Sequence, residues 1–522
     1  MKKTLSLLLA MIMIAATVTA VFTISGFANI DDEEAITPDT SWYDDTKTEY
    51  ELADAADFLG FGLLLNGVKN DDGTYATEPV TFKGKTVKLT ANIDVNPGWD
   101  EGEYVTNLFD DDELTLAIPP VNEWTVKNVA TSSGVIFEGT LDGQNHYVSG
   151  IYANFPYING GNDFGLFGYA GADTENTVTI KNIAIVNSFM SAGACRIGGL
   201  LATGRAKVVF ENVYNDLDIE CWRTANDEVV GGFICYLGYD GVAAGIDFTD
   251  CVYAGTMHGK GGKYAGILGC TNSANHIAKF EDCLMIGTIV GGSAQTGIAT
   301  KNKGIMNMNT VVVDATNLDA SKAYVVAADL RNGTDNYITT NAVVYVEGET
   351  ACKGVYQLHQ NNTVDTPTAT QATIDNLKDI KTWATTQSIV GYADWTSTIE
   401  DGGINMPISE DLAATLADYF APAEDTTPDG GENNGENNNQ NENNNQNENN
   451  NQNENNNENT NEAPDNTDTD ASANTEAAPA PETDEAPSAG KAGCGGIIGV
   501  SAIAIVAVTG TALVIGAKKK ED

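Results

Sequence analysis

Through the middle of the chain, short apolar runs alternate with glycine and with asparagine or aspartate, and no stretch keeps the spacing of a helix. One recurring quartet reads Phe164-Gly165-Leu166-Phe167, Gly198-Gly199-Leu200-Leu201, Gly231-Gly232-Phe233-Ile234, Ala265-Gly266-Ile267-Leu268 and Thr296-Gly297-Ile298-Ala299, at spacings of 34, 33, 34 and 31 residues. A second marker interleaves with it: Lys181-Asn182-Ile183, Glu211-Asn212-Val213, Thr249-Asp250-Cys251, Glu281-Asp282-Cys283, Met308-Asn309-Thr310 and Thr340-Asn341-Ala342, at spacings of 30, 38, 32, 27 and 32. Two markers sharing one period imply structural repeats. The runs between them, such as Ile183-Ala184-Ile185-Val186, Val311-Val312-Val313 and Val343-Val344-Tyr345-Val346, are of β type. Coils of this length stacked about 4.8 Å apart make a parallel β-solenoid, so the expected class is all-β.

In that architecture Asn182, Asn212, Asp250, Asp282, Asn309 and Asn341 form a structural turn ladder. Asn and Asp tolerate the left-handed conformation of a tight turn, and their side chains can bond the same group one coil up. Glycine at the other corner permits positive φ and close backbone approach. A solenoid also needs closed ends. Glu51–Val68, with Leu52, Ala55, Ala56, Leu59 and Leu63 on one helical face, is the expected N-terminal cap. Ala372–Trp383 reads as a short closing helix, followed by Trp395 and Gly402–Pro407.

The two ends change the picture from a domain to a displayed domain. Lys2 and Lys3, the apolar stretch Leu5–Ala20 and small residues up to Ala28 read as a secretory signal. Ile497–Ala517 is 21 residues without a charge, followed by Lys518-Lys519-Lys520. As a helix it spans the roughly 30 Å hydrocarbon core, with the lysines cytoplasmic. No LPxTG motif precedes it. Residues 424–490 are low-complexity Asn, Glu and Pro with 17 acidic and no basic residues, a composition expected to stay disordered. The expected organisation is a signal peptide (1–28), a lead-in and cap (29–130), a repeat β-helix (131–363), a closing segment (364–423), the acidic stalk (424–490), a transmembrane helix (497–517) and a tail (518–522).

The run Phe137-Glu138-Gly139-Thr140-Leu141-Asp142-Gly143-Gln144-Asn145-His146-Tyr147-Val148-Ser149-Gly150-Ile151-Tyr152, then Gly165-Leu166-Phe167-Gly168, resembles bacterial surface proteins with GLUG-type repeats. Upstream, Gly84-Lys85-Thr86-Val87-Lys88-Leu89-Thr90-Ala91-Asn92-Ile93-Asp94 is similar to their lead-in. The resemblance covers roughly residues 41 to 410 and implies a right-handed parallel β-helix on a bacterial surface. It implies no single activity, because such repeats occur in adhesin-like proteins and beside protease domains.

Charge and chemistry narrow the function. Lys+Arg 27 against Asp+Glu 73 leaves a net charge of −46, which argues against a nucleic-acid partner. The four histidines, His146, His258, His276 and His359, make no HExxH or zinc spacing, so no metal and no cofactor is implied. There is no GxSxG, Walker loop or dinucleotide fingerprint. Cys251 and Cys283 share a register position, which suits either a disulfide or two buried thiols. Cys494 stands at the outer membrane boundary. Asp216 and Asp218 alternate on one strand, Asp227-Glu228 opens the next coil, and Asp110–Glu113 is an acidic run; a hydrolase or lyase would need such carboxylates paired across a bond. Tyr214, Trp222, Tyr239 and Tyr253 are candidates to stack on sugar rings. The expectation is therefore a membrane-anchored, non-catalytic surface adhesin or display protein binding a glycan or protein. The alternatives are a surface polysaccharide lyase or glycoside hydrolase, and a structural coat protein.

Overall fold

The computed structural model describes residues 34–70, 74–99, 119–124, 126, 135–155, 163–172, 175–193, 196–221, 229–238, 245–259, 261–271, 273, 275–330, 338–358, 369–395 and 403–421. The expected signal peptide, stalk, transmembrane segment and tail lie outside these residues, as do Trp222, Tyr239, Cys195, His359, Cys494, Asp227-Glu228 and the run Asp110–Glu113.

The chain is mostly β and builds two long parallel sheets, an arrangement consistent with a parallel β-helix. The main path of the larger sheet holds β1 (Glu49–Leu52), β2 (Thr86–Leu89), β3 (Thr140–Ser149), β4 (Thr177–Ala192), β5 (Lys207–Cys221), β6 (Gly245–Tyr253), β7 (Ile277–Met285), β8 (Ile305–Asp314), β9 (Val343–Val346) and β10 (Ala369–Ala372). Each pairs in parallel with the next in chain order. Between visits the chain crosses a second sheet of 13 short strands, whose strands also pair in parallel. Equal register lets like side chains stack. Phe210, Phe248 and Phe280 lie ring on ring at 5.2 and 5.0 Å, each pair 7° from parallel. Ile183, Val213, Cys251, Cys283 and Val311 form a second buried column.

Between these columns the strands turn a corner. Asn182 (φ 51°), Asn212 (φ 53°), Asp250 (φ 53°) and Asp282 (φ 50°) adopt the left-handed conformation expected of the ladder. Its next members differ from the sequence reading. Glu281 pairs with Asn309 and Cys283 with Val311, so the residue opposite Asp282 is Thr310, itself at φ 57°. Asn309 and Asn341 each lie one position before the corner, and the latter is exposed. The shortened 27-residue spacing shifts the side-chain register but not the corner. The glycine quartets serve close approach rather than positive φ. A Cβ on Gly199 would collide with the carbonyl oxygen of Gly232, and one on Gly232 with that of Gly266.

Helix α1 (Ala55–Asn66) occupies the N-terminal end, with Asp54 as its N-cap, accepting from the Asp57 N–H at 3.0 Å. Its buried face is Phe58, Leu59, Phe61, Leu64 and Leu65, rotated from the expected one; Ala55, Ala56 and Leu63 are only half-buried. The rotation follows the aromatic partners: Trp124 stacks on Phe58 at 4.7 Å, and Phe61 meets Phe82 and Phe137.

The closing helix is two short ones, α2 (Ile374–Leu377) and α3 (Ile380–Thr386), followed by a helix not anticipated from the sequence, α4 (Glu410–Phe420). Residues 374–395 and 403–420 lie along one flank of the larger sheet. Their Leu377, Ile380, Ala384, Tyr392, Trp395, Met406, Ile408, Leu412 and Leu416 cover the outward column Ala184, Tyr214, Val252, Leu284, Val312 and Val344. Helix α4 ends against β3, where Tyr419 meets Tyr147 at 4.8 Å between ring centres. The closing segment is thus a strap from the last coil back to an early one.

Candidate functional site

Before its corner, the larger sheet presents an outward face that the strap leaves open. One column reads Glu49, Thr86, Thr140, Thr179, Val209, Asp247, Lys279 and Asn307. The next reads Glu51, Lys88, Asp142, Lys181, Glu211, Thr249, Glu281 and Asn309. Opposite charges meet across coils: Lys88–Glu49 at 2.8 Å, Lys181–Asp142 at 3.4 Å and Lys207–Asp247 at 2.7 Å. Burial opposes ionisation of Asp142, but hydrogen bonds from Asn182 and Gln144, with Lys181 beside it, hold its carboxyl below the usual range. Glu211, Lys207, Lys279, Glu281 and Ile277 are exposed. Exposed ion pairs add little stability. Their regular spacing instead gives a flat, polar face that a ligand could meet.

At the corner the ladder side chains bond one another and the strap. Asn182 Nδ2 donates to Asp142 Oδ1 at 3.0 Å. Asn212 Nδ2 lies 3.1 Å from Asn182 Oδ1, 3.0 Å from Asn145 Oδ1 and 2.9 Å from Ser409 Oγ, while its own Oδ1 accepts from the Ser409 N–H at 2.8 Å. Further along, Trp395 Nε1 donates to Asp282 Oδ1 at 2.8 Å. Burial, then the charges of Asp282, Glu211, Glu281 and Asp394, push the Asp250 carboxyl up to about 7. Burial also raises that of Asp282, against the Trp395 hydrogen bond.

Beyond the corner, β5 carries a second polar row. Leu217, Ile219 and Cys221 face the core, so Asp216, Asp218 and Glu220 share the outer side. Burial and the charge of Asp218 push Asp216 up to about 7. Asp218 Oδ1 accepts from the Thr256 N–H at 2.5 Å. Glu220 is buried and accepts from Ser191 Oγ at 3.0 Å, and its register partner on the next coil is His258. The order is hydroxyl, carboxylate, imidazole. A serine nucleophile needs the imidazole beside the hydroxyl, so this row is not a relay of that type. A carboxyl raised by burial beside a second carboxyl is one half of what acid–base hydrolysis of a glycoside uses.

The remaining sequence candidates fall as follows. Tyr214 is 4% exposed and Tyr253 fully buried, which corrects the sugar-stacking expectation for both. The strap covers the outward ring of Tyr214, whereas Tyr253 points into the core, its hydroxyl donating to the Leu217 carbonyl at 3.3 Å. Trp222 and Tyr239 lie outside the described residues. Cys251 and Cys283 are register partners, as expected, but both are free thiols. Cys251 Sγ donates to Thr249 O at 3.2 Å and Cys283 Sγ to Glu281 O at 3.4 Å. Burial pushes both thiols well up, so they behave as small hydrophobes in an aliphatic column. Among the described residues no three His, Cys, Asp or Glu side chains converge as metal ligands, and no helix is long and apolar enough to cross a membrane.

The strap and its anchors were missed by sequence reasoning. Their signal was present: Ser409 before Glu410-Asp411, then Leu412, Ala413 and Leu416, is a capped amphipathic helix. No family model matches the chain, and neither a curated relative nor a solved structure matches it.

Proposed function

We propose that this chain is a bacterial cell-surface protein with a right-handed parallel β-helix head, of the GLUG-repeat kind, that binds a glycan or protein ligand without catalysis. Residues 1–28 direct its secretion, 424–490 form an acidic stalk, and 497–517 anchor it in the membrane with the head outside. The observation that carries the reading is the open outward face, where Lys, Asp, Glu and Thr columns recur at coil spacing. A ligand with its own repeat meets many weak contacts there at once.

The test is a glycan array and surface pull-down with the full chain, beside a variant carrying Lys181→Glu, Lys207→Glu and Lys279→Glu. Binding by the parent that falls at least about tenfold in the variant supports the reading. Binding that survives the reversal removes the face from it. A second reading, a polysaccharide-degrading enzyme, is favoured by one observation, Asp216 held near neutral pKa beside Asp218. Reducing sugar released by the parent, and lost in Asp216→Asn, would select it.

A further inference from the structure

The ladder of corner residues contains one discontinuity in its chemistry. Up to Asn212 each step pairs an amide N–H with an oxygen. The next two rungs, Asp250 and Asp282, are both acids, and they occupy successive coils about 4.8 Å apart. Two carboxylates cannot donate to each other, so hydrogen bonding between these rungs requires a proton on one of them. The strap reaches this pair at Asp282, and its Asp394 lies close enough for its charge to act on Asp250. Trp395 gives its indole N–H to Asp282 Oδ1, and Tyr392 gives its hydroxyl to the Val311 and Ala342 carbonyls at 3.3 and 3.2 Å. The charged groups around the pair are acids from each side: Glu211 on β5, Glu281 on β7 and Asp394 on the strap itself.

We propose that Asp250 and Asp282 form a proton-operated clasp that holds the strap, at its residues 374–395, against the flank of the solenoid. With a proton on the pair, the rungs remain neutral enough to lie beneath Trp395. With both ionised, two charges stand together under an indole ring and face a third on Asp394, and the repulsion is relieved when residues 392–395 lift away. The titration supports the same sense. The carboxyl of Asp250 sits near 7, above its ordinary value, and that of Asp282 is also raised, in both cases through burial first. An acid raised in the closed state stabilises closure fully at low pH. That stabilisation is lost as pH rises from the ordinary carboxylate range through about 7, and levels off above it. The anchor at Asn212 and Ser409 has no titrating group, so the release is confined to the neighbourhood of Trp395.

The experiment is hydrogen exchange followed by mass spectrometry on the full chain, with exchange corrected for its intrinsic pH dependence, between about pH 5 and about pH 9. The expected result is a fall of at least about tenfold in the protection of peptides spanning 380–395 across this range, equivalent to one pKa unit of differential proton binding, with β5 to β7 unchanged. Asp250→Asn keeps a residue suited to the left-handed corner, as at positions 182 and 212, and is expected to reduce that fall well below the parent's, the remainder coming from the buried Asp282. Asp282→Asn, which retains an oxygen for Trp395, carries the same expectation and serves if the first variant does not fold. A parent with no fall, or variants that keep the parent's fall, would overturn the clasp.

Discussion

Asn212 shows how much one side chain does in a stacked coil. It takes a left-handed backbone, shares two amide protons among three acceptors, and receives the Ser409 N–H. Asn212→Ala loses these bonds and pays the backbone penalty, and is expected to cost about 2–4 kcal/mol in urea denaturation. Asn212→Gly removes the bonds but not the backbone fit, so it should lie between the two, and the gap measures the corner itself. Gly232 makes the opposite point, since it must have no side chain. A Cβ there meets the Gly266 carbonyl and the Tyr253 ring, so Gly232→Ala should lower the melting temperature by several degrees. Cys251 and Cys283 should resist alkylation at pH 8 in the folded protein and react fully in urea. Rapid labelling of the folded protein would place them outside the core.

At the scale of elements, the strap is the part that the repeat does not supply. Residues on β4 to β9 that point outward past the corner are apolar, and they need a cover of matching length. Helix α4 ends that cover, capped by Ser409, whose Oγ accepts from the Leu412 N–H at 3.3 Å. Leu412 and Leu416 are fully buried, so replacing both by Ala is expected to remove about 4 kcal/mol or more of local packing. The expected outcome is selective: limited proteolysis should cut the variant near residues 403–421 while the β4–β8 core stays intact. Cutting throughout the chain instead would mean that the strap and coils unfold as one unit. Carboxylates matter at this scale too, because burial and the neighbouring acids of β5, β7 and the strap together raise Asp250 and Asp282.

For the molecule as a whole, the strap decides where Ala421 lies. Ala421 follows helix α4, which ends beside Tyr147 on β3, seven strand steps or about 34 Å from β10. Paired spin labels should therefore place residue 421 closer to residue 51 than to residue 349. The reverse order would show that the strap does not fold back.

The repeat was legible in the sequence because its causes are local. A period of about 30 residues, β-branched runs, and Asn or Asp where the backbone must turn left-handed are all properties of short segments. Even the error at Asn309 was local, since one neighbour, Thr310, takes the corner that a motif alignment assigns to Asn. What the tertiary structure alone decided is which outward residues are covered. Tyr214 reads as an exposed aromatic until a segment from the far end of the chain lies on it, and Asn212 bonds a serine 197 positions away. Burial, and every pKa that follows from it, is a property of contacts between segments distant in the chain. Local pattern therefore set the coils, and long-range packing set the flank, the strap and the acid pair beneath it.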